Sequence, residues 1–592
     1  MALSALALLL PGLGAVPFDD PGEGQHAEIA REALVSGDWL TLRLVGVRYY
    51  DKPPLLYWLI AAGFKTWGVS EWAARLPAVL GAAAAVAATA LLGARLRGPG
   101  AGALAGAALL SCALFTAFAR YVRPDTLFVA AIQWGFTGLL LAVHGDGFRG
   151  RRWAIAGCAA LGAAALAKDP FALVGPLGAV ALALALGGRI RPVGRWLPAA
   201  GAAVLLLVGF GWYALASARN PGFLWYTVVD NHLLNAVQMR RFPDEDVPLS
   251  SLEFLAVAGL GAFPWIVPAA LEMGTLVRRR AWRDPEEIPW VALGLWAAGL
   301  FGVFTLSAFK LPHYGLPAYP AVALLAARWW SERKGRSRRP ALAYLAVFAL
   351  MAAILGAAAL SDGRAFMDTV FSVTDVSSRK EAVAAQAGPL PVWSLLRPVV
   401  ARTALVFALG ATALAAATAS RRSGWLAAAA VAVTMLAVVP SVGQALGLVA
   451  SARAVSGMAA DVRWYWQPGA VLVHEGPIEN SGALELYSAF RPILVDGARS
   501  VLGMGSTFPE AADRFWDAGR LTRAWLSGTP ILLVTPREPA RSLVAGIPRE
   551  RVRLLAARQG RWLWSNAPRE PEAQLSRPRN SRPPNSRPQI SR

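Results

Sequence analysis

The chain has 592 residues, of which 56% are apolar and 16% are charged, whereas soluble globular domains have about 45–50% apolar and about 25% charged residues. This balance excludes a chain that lies mainly in water, and it excludes collagen-like, coiled-coil and disordered proteins. The two cysteines, Cys112 and Cys158, lie in apolar blocks, so no disulfide framework is predicted. The formal net charge of +21 would suggest a nucleic-acid partner unless the positions of the basic residues give another reason for it.

Repeated apolar blocks predict one polytopic membrane unit over most of the chain. Roughly thirteen blocks are long enough, or nearly so, to cross a bilayer: 2–17, 76–94, 101–119, 125–143, 153–167, 170–187, 196–217, 253–276, 288–306, 312–330, 341–360, 401–419 and 425–450. Arginine-rich connections fall in every second loop, and the positive-inside rule makes those loops cytoplasmic. Thirteen crossings then predict a cytoplasmic N-terminus and an external C-terminus. We interpret the first block as an uncleaved span because no basic stretch precedes it.

The first external loop, residues 18–75, contains two further helical patterns. One is the amphipathic stretch 27–34, which ends near Gly37, and the other is the apolar stretch after Pro53 and Pro54. Both patterns predict helices that lie along the membrane surface.

The composition changes after residue 452. Short apolar strands at 470–473, 492–495 and 531–534 alternate with helical stretches at about 480–490 and 508–526. This alternation predicts a small external α/β domain. The domain organisation is therefore a membrane module at 1–451, an α/β domain at 452–565, and a basic tail at 566–592 that is predicted to be disordered.

Basic residues also stand at the predicted external ends of spans, where the positive-inside rule does not explain them: Lys52, Arg75, Arg120, Arg123, Lys168, Arg240, Arg241 and Lys310. A single one of these is well explained as a snorkelling anchor at the interface. A group that converges on one face indicates an anionic, lipid-linked substrate whose phosphate is held by several cations. The basic residues are thus divided between topology and a phosphate site, and no nucleic-acid partner is predicted.

Two motifs carry a resemblance to a known family. The first external loop contains Glu23 to Glu32, then Gly37-Asp38-Trp39, then Tyr50-Asp51-Lys52-Pro53-Pro54, and the segment Ser307 to Pro317 contains Lys310-Leu311-Pro312-His313-Tyr314. These motifs resemble the ArnT-like and protein-mannosyltransferase-like glycosyltransferases of family 39, and the resemblance covers about residues 1–450. It implies the GT-C fold. With the apolar blocks counted above, the predicted fold class is a mainly α polytopic membrane protein with about thirteen transmembrane helices, followed by the α/β domain.

The resemblance implies that the enzyme transfers a sugar from a polyprenyl (undecaprenyl) phosphate carrier to lipid A, a glycan or a protein hydroxyl. The reaction would take place on the external face of the bacterial plasma membrane. The residues expected to bind the carrier phosphate are Lys52, Lys168, Arg240 or Arg241, and Lys310, with a hydrogen bond from Tyr314.

An inverting transfer needs one carboxylate to accept the proton of the acceptor hydroxyl. The leaving phosphate needs only cations that stabilise its developing charge. The family has Asp-Glu in the first loop, but the position that matches this Asp is Gly22. Either Asp20, by a small local shift, or Glu23 takes over as the base, and we prefer Asp20; a divergent or inactive member is the alternative.

The resemblance also names Asp51 and His232 as candidate ligands of a divalent metal ion. Two ligands carry little weight, since structural zinc sites have four, and a partnered interfacial His232 is the alternative. No nucleotide-binding glycine motif stands between a strand and a helix.

Two other functions are compatible with many spans and external basic residues. A transporter or flippase of a lipid-linked saccharide would show inverted repeats and charges near the midplane, whereas here the charges lie at external span ends. A scaffold whose α/β domain binds a partner would leave the first-loop motif unexplained. The enzyme is therefore the preferred interpretation.

Overall fold

The computed structural model describes residues 1–144, 147–243, 247–332, 339–374, 389–418 and 423–567. The basic tail that is predicted to be disordered lies outside these residues beyond Ala567. The helices before residue 220 are α1 (Ala2–Leu9), α2 (Gly24–Ser36), α3 (Leu55–Trp67), α4 (Glu71–Arg97), α5 (Pro99–Leu110), α6 (Ala113–Ala119), α7 (Asp125–His144), α8 (Gly147–Ala167), α9 (Val174–Leu186) and α10 (Ala199–Arg219). The later helices are α11 (Phe223–Trp225), α12 (Ser251–Gly261), α13 (Ile266–Arg278), α14 (Ile288–Leu306), α15 (Tyr319–Glu332), α16 (Arg339–Leu360), α17 (Arg364–Thr374), α18 (Trp393–Thr418), α19 (Ser423–Arg453), α20 (Ser456–Tyr465), α21 (Leu484–Ser488) and α22 (Ala518–Leu526).

The long helices make this a multi-pass membrane protein. Among the described residues, seven helices are long and apolar enough to cross a bilayer: α4, α7, α10, α14, α16, α18 and α19. The number rises to nine if each sharply bent pair, α5 with α6 at 71° and α12 with α13 at 103°, counts as one span.

Four of the predicted spans fall on helices outside this set. The helix α1 has 8 residues, α9 has 13 and α15 has 14, all below the roughly 20 residues of a typical span. The helix α8 has 21 residues, but its first turns carry three arginines. The thirteen-span count therefore stays a prediction.

Both predicted helices of the first external loop are confirmed. The helix α2 ends at Gly37, which adopts the left-handed conformation (φ 70°) common after helix ends. The helix α3 follows Pro53 and Pro54. Between them, β1 (Arg43–Leu44) and β2 (Val47–Arg48) form an antiparallel hairpin.

The C-terminal domain is a six-stranded mixed sheet with the order β5-β4-β3-β6-β8-β7. The three predicted strands are confirmed as β3 (Val471–Glu475), β4 (Ile493–Val495) and β6 (Ile531–Thr535), and they pair in parallel.

Three strands were not predicted from the sequence: β5 (Phe515–Trp516), β7 (Arg553–Arg558) and β8 (Arg561–Ser565). The strand β5 interrupts the stretch predicted as helical at 508–526, where the helix α22 begins only at Ala518. The strands β7 and β8 begin with arginine and pair antiparallel at one end of the sheet. Their apolar runs, 554–557 and 562–564, are short and stand between arginines or beside a polar residue, so they give a weak strand signal.

The first external loop and the α/β domain share one apolar cluster. It includes Phe18, Ile29 and Tyr57 from the loop together with Leu472 and Leu494 from the sheet. Ion pairs border this cluster, because Arg31 contacts Glu485 at 3.0 Å and Arg491 contacts Glu32 at 2.6 Å. The loop is therefore packed against the domain as well as against the membrane helices.

Two glycines allow the backbones to approach at this interface. A Cβ atom on Gly24 would lie 2.4 Å from the backbone nitrogen of Ala483, and a Cβ atom on Gly482 would lie 2.4 Å from that of Gln25. Neither approach leaves room for a side chain. The start of α2 is thus in direct backbone contact with the segment before α21.

We expect Gly482→Ala to loosen this interface, because the added Cβ would meet backbone that a side-chain rotation cannot move away. Overpacking of this kind costs about 1–3 kcal/mol. The measurement is thermal unfolding of the detergent-solubilised chain by tryptophan fluorescence. The matched control is Gly546→Ala, since a Cβ at Gly546 meets no atom within 4 Å; equal unfolding temperatures for the two variants would contradict the close approach.

Candidate active site

Two adjoining cavities open between the membrane helices and the first external loop. The larger, here the apolar cavity, has a volume of about 920 Å³ and is lined mainly by residues of α9, α10 and α14 and the segments beside them. Among its apolar lining residues are Phe171, Leu182, Trp212, Trp296 and Phe304. The smaller, here the polar cavity, has a volume of about 370 Å³ and lies between the first external loop, the segment 114–125 and the α/β domain.

The two cavities share a set of lining residues, here called the neck: Asp51, Lys52, Lys168, Asn231, Asn235, Phe309 and Tyr314. One side of the neck is apolar and the other is rich in charged groups. A molecule with a hydrocarbon tail and an anionic headgroup would fit this arrangement, with its headgroup at the neck.

Lys168 reaches the neck because the chain breaks after α8. Pro170 begins a 3₁₀ turn, and the Asp169 carboxylate accepts a hydrogen bond from the Phe171 N–H and caps that turn. The Lys168 Nζ atom lies 2.5 Å from Asp125 Oδ1, and 5.4 Å from the centre of the Tyr314 ring. Asp125, at the start of α7, therefore fixes the direction of the ammonium group.

Lys52 and Tyr314 lie at the same neck. The Lys52 Nζ atom is 2.5 Å from Asp51 Oδ2, and Tyr314 lies in the 3₁₀ turn Pro312–Ala318 before α15. Arg240 lines the polar cavity, where its guanidinium is 3.4 Å from Asp230 Oδ2 and donates to the Tyr226 hydroxyl at 3.3 Å. The structure thus brings together four of the predicted phosphate-binding residues: Lys52, Lys168, Arg240 and Tyr314.

Two other predicted phosphate ligands lie outside both cavities. The Lys310 Nζ atom donates to Ser307 O at 2.7 Å, Ser251 Oγ at 3.1 Å and Thr305 O at 3.3 Å, so it satisfies carbonyls at the end of α14. Arg241 is exposed; its backbone N–H donates to Asp230 and its guanidinium lies over the Phe242 ring. Of the two alternatives, Arg240 and Arg241, the geometry favours Arg240.

The two predicted bases also lie outside these cavities. Glu23 is paired with the Arg75 guanidinium through two hydrogen bonds of 2.8 and 2.6 Å. The Asp20 carboxylate accepts backbone hydrogen bonds from Val455 at 3.2 Å and Ala483 at 3.3 Å. Both carboxylates join separate parts of the fold, and neither reaches the polar cavity.

Four other carboxylates line the polar cavity: Asp19, Asp51, Asp125 and Glu479. Five cations line the same cavity, namely Lys52, Arg123, Lys168, Arg240 and Arg453. Their proximity depends on loop conformation and on the α/β domain, and no spacing in the sequence indicates it. Of these nine residues, the sequence predicted Lys52, Lys168 and Arg240 as phosphate ligands and Asp51 as a metal ligand, and it placed Arg123 among the external basic residues.

His26 is a neutral side chain in this wall. Its Nδ1 atom lies 3.0 Å from the Tyr57 hydroxyl. Burial lowers the pKa of His26 to about 3, and the charges of Arg123 and Lys52 act in the same direction. The imidazole therefore adds hydrogen-bonding groups to the polar cavity without adding a charge.

The two candidate metal ligands each have another partner in the structure. Asp51 and His232 both line the apolar cavity, but Asp51 is paired with Lys52. His232 has Asp169 Oδ2 at 3.2 Å and Thr227 O at 2.5 Å. Within the part of the chain that the structure describes, no three His, Cys, Asp or Glu side chains are placed to hold an ion.

Comparison with known proteins agrees with this architecture. A family model described as dolichyl-phosphate-mannose-protein mannosyltransferase matches residues 51–213. The undecaprenyl phosphate-alpha-4-amino-4-deoxy-L-arabinose arabinosyl transferase of Pseudomonas aeruginosa is 30% identical over 356 residues, which are 58% of this chain and 61% of that protein. Transferase 1 of the same name from Pseudomonas fluorescens is 29% identical over 54% of this chain and 56% of its own length. The match thus spans about three fifths of these relatives.

The likeness in fold extends further than the match in sequence. The crystal structure of ArnT from Cupriavidus metallidurans bound to undecaprenyl phosphate superposes with a TM-score of 0.77 and 26% identity, over 95% of this chain and 96% of that one. The apo state of the same protein gives a TM-score of 0.76. The predicted resemblance to ArnT-like proteins is confirmed, and so is a mainly helical, multi-pass architecture like that of ArnT.

The burial of Asp20 makes the loop interface sensitive to pH. Burial raises the pKa of Asp20 to about 7, against the opposing charge of Arg561 and two backbone hydrogen bonds, whereas the pKa of an unfolded Asp is about 3.9. Between these values the folded chain holds a proton that the unfolded chain has lost. The free energy of unfolding therefore falls by roughly 1 kcal/mol per pH unit as the pH rises through this window. Above the window it no longer changes with pH through this group.

We expect thermal unfolding at a higher temperature near about pH 6 than near about pH 8, and we expect Asp20→Asn to reduce this difference. Burial raises the pKa of Glu32 to about 7, so part of the dependence should persist in the variant. The exposed pair of Asp513 and Arg520 offers the control Asp513→Asn. A variant Asp20→Asn with the full pH dependence of the wild type would contradict the interpretation.

Proposed function

We propose, from the premise that this chain is an ArnT-like glycosyltransferase of the GT-C superfamily, that it transfers a sugar from a polyprenyl phosphate carrier to an acceptor. The observation that supports this most is the neck, where one cavity is apolar, the other is charged, and two lysines stand between them. A polyprenyl phosphate has the same division between hydrocarbon and anion.

The hydrocarbon of the carrier would lie in the apolar cavity, among Phe171, Trp296 and Phe304. Its phosphate would lie at the neck, near Lys52 and Lys168. Charge-assisted hydrogen bonds from lysine to phosphate are about twice as strong as neutral ones, and two of them would fix the carrier at a defined depth. The sugar would then project into the polar cavity.

The polar cavity would be the reaction chamber. An acceptor hydroxyl of lipid A, a glycan or a protein would attack the anomeric carbon from the face opposite the phosphate. As the bond to the phosphate breaks, negative charge develops on the leaving oxygen and the neck lysines stabilise it. A carboxylate in the chamber would take the acceptor proton.

We also propose the finer topology: thirteen crossings, a cytoplasmic N-terminus and an external α/β domain in the bacterial plasma membrane. The arginine-rich alternate loops support this orientation. The first external loop and the α/β domain both line the polar cavity, through Tyr49 and Glu479 for example, so the reaction would occur on the external face. The domain boundaries at residues 451 and 565 belong to the same proposal.

We expect the purified full-length chain in lipid nanodiscs to release undecaprenyl phosphate from undecaprenyl phosphate-4-amino-4-deoxy-L-arabinose, the donor named for the relatives, with lipid A as the acceptor probe. The variant Lys168→Met should lower kcat/KM by about 100-fold, because it removes a cation that stabilises the negative charge developing on the leaving phosphate. The exposed Lys65→Met serves as the matched control. Mass spectrometry of the released lipid gives the readout.

Two results would contradict this function. In the first, the wild-type chain leaves the donor intact in the presence of the acceptor. In the second, the Lys168→Met variant turns over the donor as fast as the Lys65→Met control. In proteoliposomes, donor that reaches the opposite leaflet intact would instead favour the flippase. A change of sugar or acceptor that restores turnover would leave the reaction class in place.

We further propose that the lysines of the neck, and not a metal ion, neutralise the charge of the carrier phosphate. Asp51 and His232 would have to leave Lys52 and Asp169 to bind an ion. We therefore expect donor turnover in the presence of EDTA to stay within about twofold of the untreated rate. Loss of turnover in EDTA, with recovery on adding one divalent metal, would establish the metal instead.

A further inference from the structure

We propose that Asp19, oriented by the Tyr121 hydroxyl, is the carboxylate that accepts the acceptor proton. This inference rests on the proposed glycosyl transfer and names its base. Asp19 and Tyr121 both line the polar cavity, and Gly22 lines it as well. Neither residue belongs to the positions from which the sequence predicts the base.

The geometry around Gly22 supports a base at position 19 in place of one at position 22. Gly22 has a φ of 155°, and a Cβ atom on it would lie 2.3 Å from the Tyr121 hydroxyl oxygen. The hydroxyl therefore stands where a side chain at position 22 would begin. Tyr121 donates a hydrogen bond of 2.5 Å to Asp19 Oδ2, so a carboxylate is held beside this space although position 22 has no side chain.

Two other carboxylates of the polar cavity, Asp51 and Asp125, lie beside cations that make them weaker bases. Asp51 and Asp125 each lie 2.5 Å from a lysine ammonium, and a neighbouring positive charge stabilises the ionised form. They are also needed to hold those lysines at the neck. Glu479 accepts the Val501 N–H at 2.7 Å and belongs to the α/β domain.

Tyr121 is a positioning residue. Burial and the negative charges of Asp19 and Glu23 raise the pKa of Tyr121 well above its ordinary value. The phenol therefore keeps its proton and donates it in the hydrogen bond to Asp19. One carboxylate oxygen is fixed by this contact, and the rotation of the carboxylate is restricted.

A second observation points to a ligand at this place. Gln25 lines the polar cavity with only 9% of its surface exposed, and its Oε1 atom has no hydrogen-bond partner among the described residues. A buried amide oxygen in this state keeps the cost of its lost hydration unless a ligand supplies a donor. An acceptor that carries several hydroxyl groups, such as a saccharide, could supply one hydroxyl to Gln25 and another to Asp19.

The step balances as a displacement. The acceptor oxygen forms a bond to the anomeric carbon while the bond from this carbon to the carrier phosphate oxygen breaks, and the electron pair leaves with that oxygen. The acceptor proton passes to the Asp19 carboxylate. It is released to water after the products leave, and the carrier phosphate departs as an anion paired with the lysines of the neck.

The test is steady-state kinetics of the full-length chain in nanodiscs with undecaprenyl phosphate-4-amino-4-deoxy-L-arabinose and lipid A. Asp19→Asn should lower kcat by about 10²–10⁴-fold, the usual contribution of a general base, with the donor KM within about threefold of the wild type. Asp19→Glu should recover part of the rate. Tyr121→Phe should lower kcat about tenfold with little change in KM, because the carboxylate stays but loses its orientation.

Controls separate chemistry from folding. The exposed Asp513→Asn should match the wild type, and binding of undecaprenyl phosphate, measured by tryptophan fluorescence, should be the same for Asp19→Asn and the wild type. Full turnover in Asp19→Asn, or a loss of kcat at retained KM confined to Asp20→Asn, Glu23→Gln or Glu479→Gln, would overturn the assignment of Asp19. Failure of the wild type to consume donor would overturn the proposed function as well, so the two failures are distinguishable.

Discussion

The site depends on the ion pair between Lys168 and Asp125. Both side chains are largely buried, and removing one partner of a buried ion pair costs about 3–5 kcal/mol. The pair therefore constrains two helices, because the end of α8 and the start of α7 must lie next to each other. Its position divides the apolar cavity from the polar one. An anion that arrives at the neck meets an ammonium group whose direction is already fixed.

The polar cavity exists only because distant parts of the chain close around it. Tyr121 contacts Asp19 across 102 positions, and Asp20 contacts Ala483 across 463. The α/β domain supplies Glu479 to the cavity wall, and the first external loop is packed against the same domain through its apolar cluster. A loosened loop would thus change the chamber as well as the interface, which couples the stability of the domain to the geometry of the site.

The sequence predicted the features that depend on local pattern. The helices α2 and α3, the strands β3, β4 and β6, and the neck residues Lys52, Lys168 and Tyr314 follow from apolar runs, from charges at span ends and from the family motifs. The roles of Asp20, Glu23 and Lys310 could not be inferred in this way. Asp20 and Glu23 are bound by backbone N–H groups or an arginine that only the fold brings close, and Lys310 by nearby carbonyls and the Ser251 hydroxyl. A buried carboxylate bound by backbone N–H groups has the same sequence signature as a catalytic one. The strands β7 and β8 were missed because their pairing, not their composition, makes them strands.

If Asp19 is the base as proposed, the departure from the family motif at Gly22 does not by itself remove the activity. A proton transfer depends on where a carboxylate oxygen stands and what orients it, and unrelated folds meet the same requirement from different chain positions. A glycine at position 22 frees the volume that the Tyr121 hydroxyl occupies. The hydroxyl in turn fixes the carboxylate of Asp19, three positions earlier in the loop. The absence of a side chain at position 22 and the contact between Tyr121 and Asp19 therefore depend on each other, since a side chain at position 22 would displace the hydroxyl that orients Asp19.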